Sequence, residues 1–300
     1  MSATTAAPTT AASQSSPLVM RIIAACALAH LINDLIQAVL PSIYPLLKAN
    51  YDLSFAQVGL ITLTFQITAS LLQPAVGFYT DRHPKPNLLP LGTLCTLVGI
   101  VMLAFVGSFW MILLAAALVG IGSSTFHPET SRIARLASGG RYGLAQSTFQ
   151  VGGNAGSAFG PLLAAAIIIP FGQGNVAWFG LFAVAAVIVT YGLSRWYREH
   201  LNLFKAKAGQ AATHGLSRGR VTGALVVLGL LVFSKYFYMA SLTSYYTFYL
   251  IEKFDLSVGS SQLHLFLFLG AVAAGTFFGG PIGDRIGRKA VIWFSILGVA

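Results

Sequence analysis

The 300-residue chain is too apolar for a water-soluble domain. Hydrophobic residues make up 56% of it and charged residues only 9%, whereas soluble domains carry about 25% charged residues. The net charge of +10 is spread between apolar runs, which indicates membrane orientation and argues against a nucleic-acid partner. Cys26 and Cys95 stand singly within apolar runs, so neither a disulfide framework nor a metal-binding cysteine cluster is predicted.

The chain opens with a tail rich in Ala, Thr and Ser. Residues 1–19 lack the basic start of a signal peptide, so they are predicted to form a disordered cytoplasmic tail. Apolar runs of roughly 20 residues follow, the length that crosses a bilayer as a helix. The predicted spans are 20–47, 55–79, 88–106, 110–133, 143–169, 176–196, 221–250 and 259–281, and a ninth begins near 289. We therefore expect an all-α polytopic membrane protein with about nine spans.

A polar, basic segment divides the spans into two groups. Residues 198–220 are predicted to be a cytoplasmic linker. It joins an N-terminal six-helix bundle, residues 20–197, to a partial C-terminal bundle, residues 221–300. A second bundle that matches the first needs six spans, so we expect the chain to be a fragment of a longer protein.

The cations alternate from one side of the predicted membrane to the other. Fifteen of the 18 Lys and Arg residues fall in segments on the same side as the N-terminus, and Lys48 and Lys253 fall on the opposite side. The remaining cation, Lys235, lies within a span. By the positive-inside rule, the N-terminus is predicted to be cytoplasmic.

Two short elements occur twice at one spacing. Asp52-Leu53-Ser54 reappears as Asp255-Leu256-Ser257, and the element that ends in Asp81-Arg82 reappears ending in Asp284-Arg285, in both cases 203 residues later. An apolar stretch separates the two elements in each half. Because duplication of a membrane unit is how many transporters are built, the chain is predicted to be a transporter.

The segment Gly280–Lys289 resembles the loop signature of the major facilitator superfamily, which follows the second helix of each half. The resemblance implies a fold of two pseudo-symmetric helical bundles, the second incomplete here. It also implies an inner latch, in which the Asp accepts hydrogen bonds from an Arg or a helix N-terminus. The predicted latch residues are Gly77, Asp81, Arg82, Gly280, Asp284, Arg285, Gly287 and Arg288. Pro84 replaces the second Gly in the first copy, and a generic charged loop is the alternative.

The fifth span carries Gly156-x-x-x-Gly160-Pro161, which is similar to a signature of drug/proton antiporters in the superfamily. Two small residues four apart allow close helix packing, and Pro161 lets the helix bend. The family pattern ends in two glycines where this chain has Ala164 and Ala165. An ordinary small-residue packing face is the alternative.

Three further elements resemble the fosmidomycin-resistance branch of the superfamily. They are His30-x-x-Asn33-Asp34 in the first span, Ser123–Arg132 at the end of the fourth, and Gln150–Asn154 in the fifth. Members of that branch are bacterial inner-membrane exporters of a phosphonate antibiotic. The resemblance therefore implies a bacterial inner-membrane exporter of a compound like fosmidomycin.

Ionisable side chains within the spans are the candidates for proton coupling, because each is costly in hydrocarbon unless satisfied. Asp34 lies near the middle of the first span and is suited to take up and release a proton, with His30 one helical turn away. A structural His–Asp pair is the alternative. Glu129 is the second candidate carboxylate, although an ion pair with Arg132 would explain it equally well.

Polar groups in several spans are predicted to line one substrate cavity. Lys235, buried among tyrosines, would attract an anion. The alternatives are snorkelling of Lys235 and structural hydrogen bonds between helices. The predicted substrate-binding residues are Asn33, Gln37, Tyr44, Gln66, His127, Arg132, Gln150, Asn154, Lys235 and Tyr238.

The hypothesis is proton-coupled export of a small anionic compound by alternating access, with protons and the bilayer as the other partners. Import of an organic anion or sugar-like solute is the first alternative. An intramembrane enzyme that uses His127 and Glu129 is the second, although no hydrolase motif supports it. We expect a monomer, and neither a cofactor nor a metal site is predicted.

Overall fold

Helices account for the regular structure of this protein. The computed structural model describes residues 18–202 and 217–297, and no strand occurs within these ranges. The helices are α1 (Met20–Ser42), α2 (Tyr44–Tyr51), α3 (Phe55–Gln66), α4 (Leu72–Arg82), α5 (Leu88–Ala104), α6 (Phe109–Ala137), α7 (Tyr142–Leu163), α8 (Ile169–Phe171), α9 (Phe179–Glu199), α10 (Arg218–Phe254), α11 (Val258–Ile286) and α12 (Arg288–Leu297). Residues 1–17 of the predicted tail and 203–216 of the predicted linker lie outside the described residues. The ends of that linker are instead helical, since residues 198–199 belong to α9 and residues 218–220 to α10.

Seven helical stretches within the described ranges are long and apolar enough to cross a membrane, and the apolar α5 is shorter. Together with α5 they correspond in order to the first eight predicted spans, and α12 begins where the ninth was predicted. The first predicted span, 20–47, is instead divided at Ile43 into α1 and α2. The reason is Pro45 at the start of α2, since its ring nitrogen has no hydrogen to donate to the preceding turn.

Two spans change helix type part-way. Residues Ile67–Leu71 between α3 and α4, and Ala164–Ile168 between α7 and α8, form π-helical turns. The wider turn frees backbone carbonyls from regular pairing. In the first segment the Thr68 hydroxyl donates to the carbonyls of Thr64 and Phe65, at 2.8 and 3.0 Å.

The N-terminal helices pack around α1. Helix α1 lies mainly against α7 and also contacts α6 and α9, while α5 packs between α6 and α9. Glycines allow the close approach of α7 to α1: a Cβ at Gly156 would overlap the Leu31 carbonyl, and one at Gly160 would overlap Ala38. The predicted packing glycines therefore lie at this contact, followed by Pro161 within the helix.

Helices of the second half pack against the first half along one side. Helix α11 contacts α7, where Leu265 and Leu269 bury against Ala158. Helix α10 contacts α1 and α2, and its buried residues lie in its C-terminal part. Its residues from Arg218 to Tyr238 are exposed except for Val221. The cavity described below lies between these two groups of helices.

Candidate functional site

A cavity of about 400 Å³ lies between α1 and α7 on one side and α10 and α11 on the other. Its wall is polar along α1 and α7 and more apolar along α11. The lining residues are Asp34, Gln37, Ala38, Pro41, Ser42, Gln150, Asn154, Ser157, Pro161, Lys235, Tyr236, Met239, Thr243, Leu265, Leu269, Val272 and Thr276. Such a volume suits a small molecule rather than a polymer.

The spacing of the polar residues in α1 explains why one face of it is polar. Asn33 and Asp34 lie three and four residues after His30, and Gln37 lies four and three residues after them, so all four share one side of a helix. Asp34 and Gln37 reach the cavity. His30 lies behind them and is almost completely buried.

His30 is held by contacts on both ring nitrogens. Its Nδ1 lies 2.8 Å from the carbonyl oxygen of Phe149, and its Nε2 lies 3.2 Å from Oδ2 of Asp34. The Phe149 ring stacks on the imidazole with a centroid distance of 4.0 Å. Because a carbonyl oxygen only accepts hydrogen bonds, Nδ1 carries a hydrogen.

This arrangement requires a proton between His30 and Asp34. With Nδ1 protonated, a neutral ring presents a lone pair at Nε2, which would repel a carboxylate oxygen at 3.2 Å. One proton therefore belongs to the contact, either on Nε2 as part of an imidazolium or on the carboxyl group of Asp34. The Asp34 side chain is 18% exposed, on its cavity side.

Two further groups surround the Asp34 carboxylate. Asn33 donates from Nδ2 to Oδ1 at 3.0 Å, and Nε2 of His127 lies 3.9 Å from the same oxygen. The predicted residues His30, Asn33, Asp34 and His127 are therefore brought together, although His127 comes from α6. Gly153 leaves room for this contact, because any Cβ at that position would overlap the His30 ring and approach Asp34.

A second ionic cluster joins α4 to α6. Arg132 donates to Oε1 of Glu129 and to Oδ1 of Asp81, each at 2.5 Å, and to the Thr80 hydroxyl at 3.1 Å. Glu129 is fully buried. These residues do not line the cavity. Glu129 and Arg132 therefore lie with Asp81, a predicted latch residue, and apart from the predicted substrate-binding residues that line the cavity.

The other predicted latch residues occupy the ends of helices. Arg82 lies over the Phe78 ring at 3.7 Å from its centroid, and Gly77 faces Pro128 of α6. Gly287 adopts a positive φ of 93° between α11 and α12, a conformation that favours glycine. Gly280 lies within α11. The side chains of Asp284, Arg285 and Arg288 lie outside what the structure describes.

Several predicted substrate-binding residues line the cavity and others do not. Gln37, Gln150, Asn154 and Lys235 reach it. Tyr44 is instead buried with its hydroxyl 2.9 Å from that of Thr62. Gln66 pairs with Ser70, and Tyr238 projects from the exposed side of α10. Lys235 is exposed instead of buried among tyrosines as predicted, and Tyr236 rather than Tyr238 lines the cavity beside it.

Sequence reasoning missed Phe149 and Gly153 as parts of the site. Phe149 contributes a backbone carbonyl and a stacked ring, which leave no recognisable pattern in a sequence. Gly153 had a signal: the pair Gly152-Gly153 lies inside a helix, where glycine is disfavoured unless close packing requires it. Gly152 meets the backbone of Ala27.

The model of the Major Facilitator Superfamily matches residues 26–300 of this sequence. The chain belongs to the major facilitator superfamily. It is therefore a multi-pass membrane transporter and not an enzyme, which excludes the alternative built on His127 and Glu129.

Two relatives place the chain within the superfamily. It is 60% identical over 279 residues to the fosmidomycin resistance protein of Escherichia coli (strain K12), which covers 93% of this chain and 69% of the relative. It is 39% identical over 271 residues to the uncharacterized MFS-type transporter YfnC of Bacillus subtilis (strain 168), covering 89% of this chain and 66% of the relative. The chain thus spans about two thirds of the length of these relatives.

A solved structure of the superfamily has the same fold. A bacterial homolog of the human lysosomal transporter Spinster, in an inward-facing and occupied conformation, superposes with a TM-score of 0.68 at 18% identity. The match covers 92% of this chain and 63% of that chain. The unoccupied form of the homolog gives a TM-score of 0.67 at 19% identity.

Proposed function

We propose that this major facilitator transporter exports a small anionic compound of the fosmidomycin type in exchange for protons. The observation that carries the proposal is the placement of Asp34 and Lys235 on the same cavity, Asp34 on α1 and Lys235 on α10. A proton-binding group and a cation for the substrate then share one chamber between the two halves. The name of the Escherichia coli relative supports fosmidomycin as the first substrate to test.

Lys235 is available to an anion. Its Nζ lies 5.5 Å from the centroid of the Tyr236 ring, and no carboxylate within the described residues forms an ion pair with it. Amide side chains on the opposite wall, from Gln37, Gln150 and Asn154, offer hydrogen-bond donors for further oxygens of the substrate. A phosphonate or carboxylate group fits this combination of one ammonium and several neutral donors.

The proton is assigned to the contact between His30 and Asp34. When the proton is present, the pair is compatible with the tight geometry of 3.2 Å. When the proton leaves toward the cavity, the lone pair on Nε2 of His30 faces the Asp34 carboxylate. Their repulsion disfavours this packing of α1 against α7. Proton occupancy would thus be linked to the packing of the two helices that carry the cavity wall.

Alternating access requires that the two ends of the cavity open in turn. At the predicted outer end the halves are joined by uncharged hydrogen bonds, in which Gln262 donates from Nε2 to the Ser42 carbonyl at 2.6 Å. At the predicted inner end Arg132 links Asp81 to Glu129 and keeps α4 against α6. The cytoplasmic N-terminus, the inner-membrane location and the monomeric state belong to this proposal, and the positive-inside pattern supports the orientation.

Proton-driven transport by the full-length protein in everted membrane vesicles tests the proposal. Replacing Asp34 by Asn removes the proton site and preserves the size of the side chain, so proton-driven fosmidomycin uptake into everted vesicles should be abolished while membrane insertion persists. Asp255→Asn is the matched control, because Asp255 is exposed and has a φ of 54° that Asn also accepts. Undiminished transport by the Asp34→Asn variant would exclude this mechanism, and accumulation only in right-side-out vesicles would indicate import.

A further inference from the structure

Three side chains of the kinds that bind metal ions converge at the wall of the cavity. The nearest donor atoms of His30, Asp34 and His127 all lie within 4.8 Å of one another. We propose that these three residues form a binding site for a divalent transition-metal ion such as Zn²⁺. The proposal does not depend on the transport mechanism above, because binding can be measured on the protein at rest.

The distances between the donor atoms are close to those of a metal site. In a tetrahedral zinc site with bonds of about 2.0–2.1 Å, neighbouring donor atoms are about 3.3 Å apart. Nε2 of His30 and Oδ2 of Asp34 are 3.2 Å apart, and Nε2 of His127 lies 3.9 Å from Oδ1 of Asp34. These two distances end on different oxygens of Asp34, and the three donor atoms lie within 4.8 Å of one another. Binding of one ion therefore requires the 24% exposed His127 side chain to move closer.

His30 is already oriented as metal-binding histidines are. Its Nδ1–H donates to the Phe149 carbonyl, which fixes the tautomer and directs the other nitrogen, Nε2, toward Asp34. A backbone carbonyl or carboxylate on the non-binding nitrogen is the usual support for such a ligand. Asn33 supports Asp34 in the same way through its hydrogen bond to Oδ1.

His127 has no competing role in the described part of the chain. It makes ring contacts with His30 and Phe126 and the 3.9 Å contact with Asp34, but no hydrogen bond to any described residue. Its side chain is 24% exposed, so its ring nitrogens are accessible, and Nε2 can bind a metal ion without losing an existing hydrogen bond.

The composition of the site selects the kind of ion. Two imidazoles and one carboxylate suit Zn²⁺, Co²⁺ and Ni²⁺, whereas Mg²⁺ and Ca²⁺ prefer oxygen ligands throughout. Three protein ligands leave a fourth position open. Because Asp34 lines the cavity, that position faces the chamber, where water or an anionic group of a substrate would complete the coordination.

Cobalt binding to the purified full-length protein tests the site, after removal of any polyhistidine tag. Co²⁺ in a tetrahedral site with nitrogen ligands gives visible absorption bands, so titration should show one equivalent bound, displaced by Zn²⁺ but not by Mg²⁺. Asp34→Asn and His127→Gln, made separately, should each weaken binding by more than about tenfold, since loss of even an outer partner costs about 10–100-fold. His264→Gln is the matched control, because His264 is exposed and its Nδ1 lies 2.8 Å from the Ser260 carbonyl of its own helix.

Two results would overturn the proposal. One is a wild-type protein that shows no Co²⁺ bands and no tight binding of Zn²⁺. The other is an affinity that stays the same in the Asp34→Asn and His127→Gln variants, which would locate the bound ion elsewhere. Elution of each variant as a single species in size-exclusion chromatography shows that it is folded, and a failure here leaves the transport proposal intact.

Discussion

The hydroxyl oxygens of Thr62 on α3 and Ser244 on α10 lie 3.2 Å apart, which joins the two halves of the transporter by a direct hydrogen bond. The Tyr44 hydroxyl extends the contact, since it lies 2.9 Å from that of Thr62. Phe55 and Phe248 pack edge to face beside it, with ring centroids 5.3 Å apart. If alternating access operates, these contacts must separate in each cycle.

Cross-linking at this contact should stop transport. Cysteines at positions 62 and 244, introduced together, are expected to form a disulfide under mild oxidation because the native side chains already touch. Transport by the full-length protein should then be lost and should return on reduction. A protease site inserted between residues 203 and 216 reveals the cross-link. After cleavage, the two halves run as one band on a denaturing gel if they are cross-linked.

The single variants Thr62→Cys and Ser244→Cys are the controls for this experiment. They also account for any reaction of the native thiols of Cys26 and Cys95. Full transport by a completely cross-linked protein would show that the two halves do not separate here.

Enlarging Gly153 should disrupt the contact between His30 and Asp34, the proposed proton site. A Cβ at this position overlaps the His30 ring, so Gly153→Ala is expected to displace the ring and destabilise the protein by about 1–3 kcal/mol. Gly143→Ala is the control in the same helix, because a Cβ there meets nothing within 4 Å. It should be neutral or slightly stabilising. The unfolding temperature in detergent and the rate of proton-driven transport are compared for the two variants. Equal values for both would contradict the close packing of Gly153 against His30.

Removing Arg132 should leave a buried charge without compensation. Glu129 is fully buried and is paired with Arg132, so Arg132→Gln is expected to cost about 3–5 kcal/mol in stability. Adding Glu129→Gln removes the unpaired carboxylate and should restore part of the loss. Thermal unfolding of the single and double variants measures the difference.

The exposed pair of Arg195 and Glu199 provides the comparison for Arg132. Their side chains are 75% and 57% exposed, and exposed pairs contribute little to stability. Arg195→Gln should therefore hardly change the unfolding temperature. A similar, small effect of Arg132→Gln would mean that Glu129 is not charged in the folded protein.

Neutralising Lys235 should weaken transport of anions selectively. Hydrogen bonds to charged groups contribute about 1.5–3 kcal/mol, so Lys235→Gln should raise the KM for fosmidomycin by about tenfold or more. Lys253→Gln is the control, because Lys253 is exposed at the end of the same helix and bonds to the Tyr249 hydroxyl. An unchanged KM would remove Lys235 from the substrate site.

The order of the helices and the superfamily were predictable from the sequence, because hydrophobic length and repeated motifs are local signals. The cavity wall formed by Asp34, Gln37 and Gln150 was also predicted, since polar residues within spans have few alternatives. The contact of His127 with Asp34 was not predictable, because it depends on how α6 approaches α1. For the same reason the sequence left open whether Arg132 binds substrate or pairs with Glu129. The structure decides this, because Asp81 of α4 lies across from Arg132 and bonds to it.

The π-helical turns at Ile67–Leu71 and Ala164–Ile168 have a consequence for how these two spans tolerate change. A wide turn accommodates one more residue than a regular turn, so the helix beyond it is out of phase with the helix before it by about 100°, the rotation of one residue. Deleting one residue within such a turn would return it to α-helical geometry and keep both flanking faces on their present neighbours. The same deletion in α6, which has no such turn, would rotate every contact beyond it. Length variation among relatives of this transporter should therefore concentrate at these two turns.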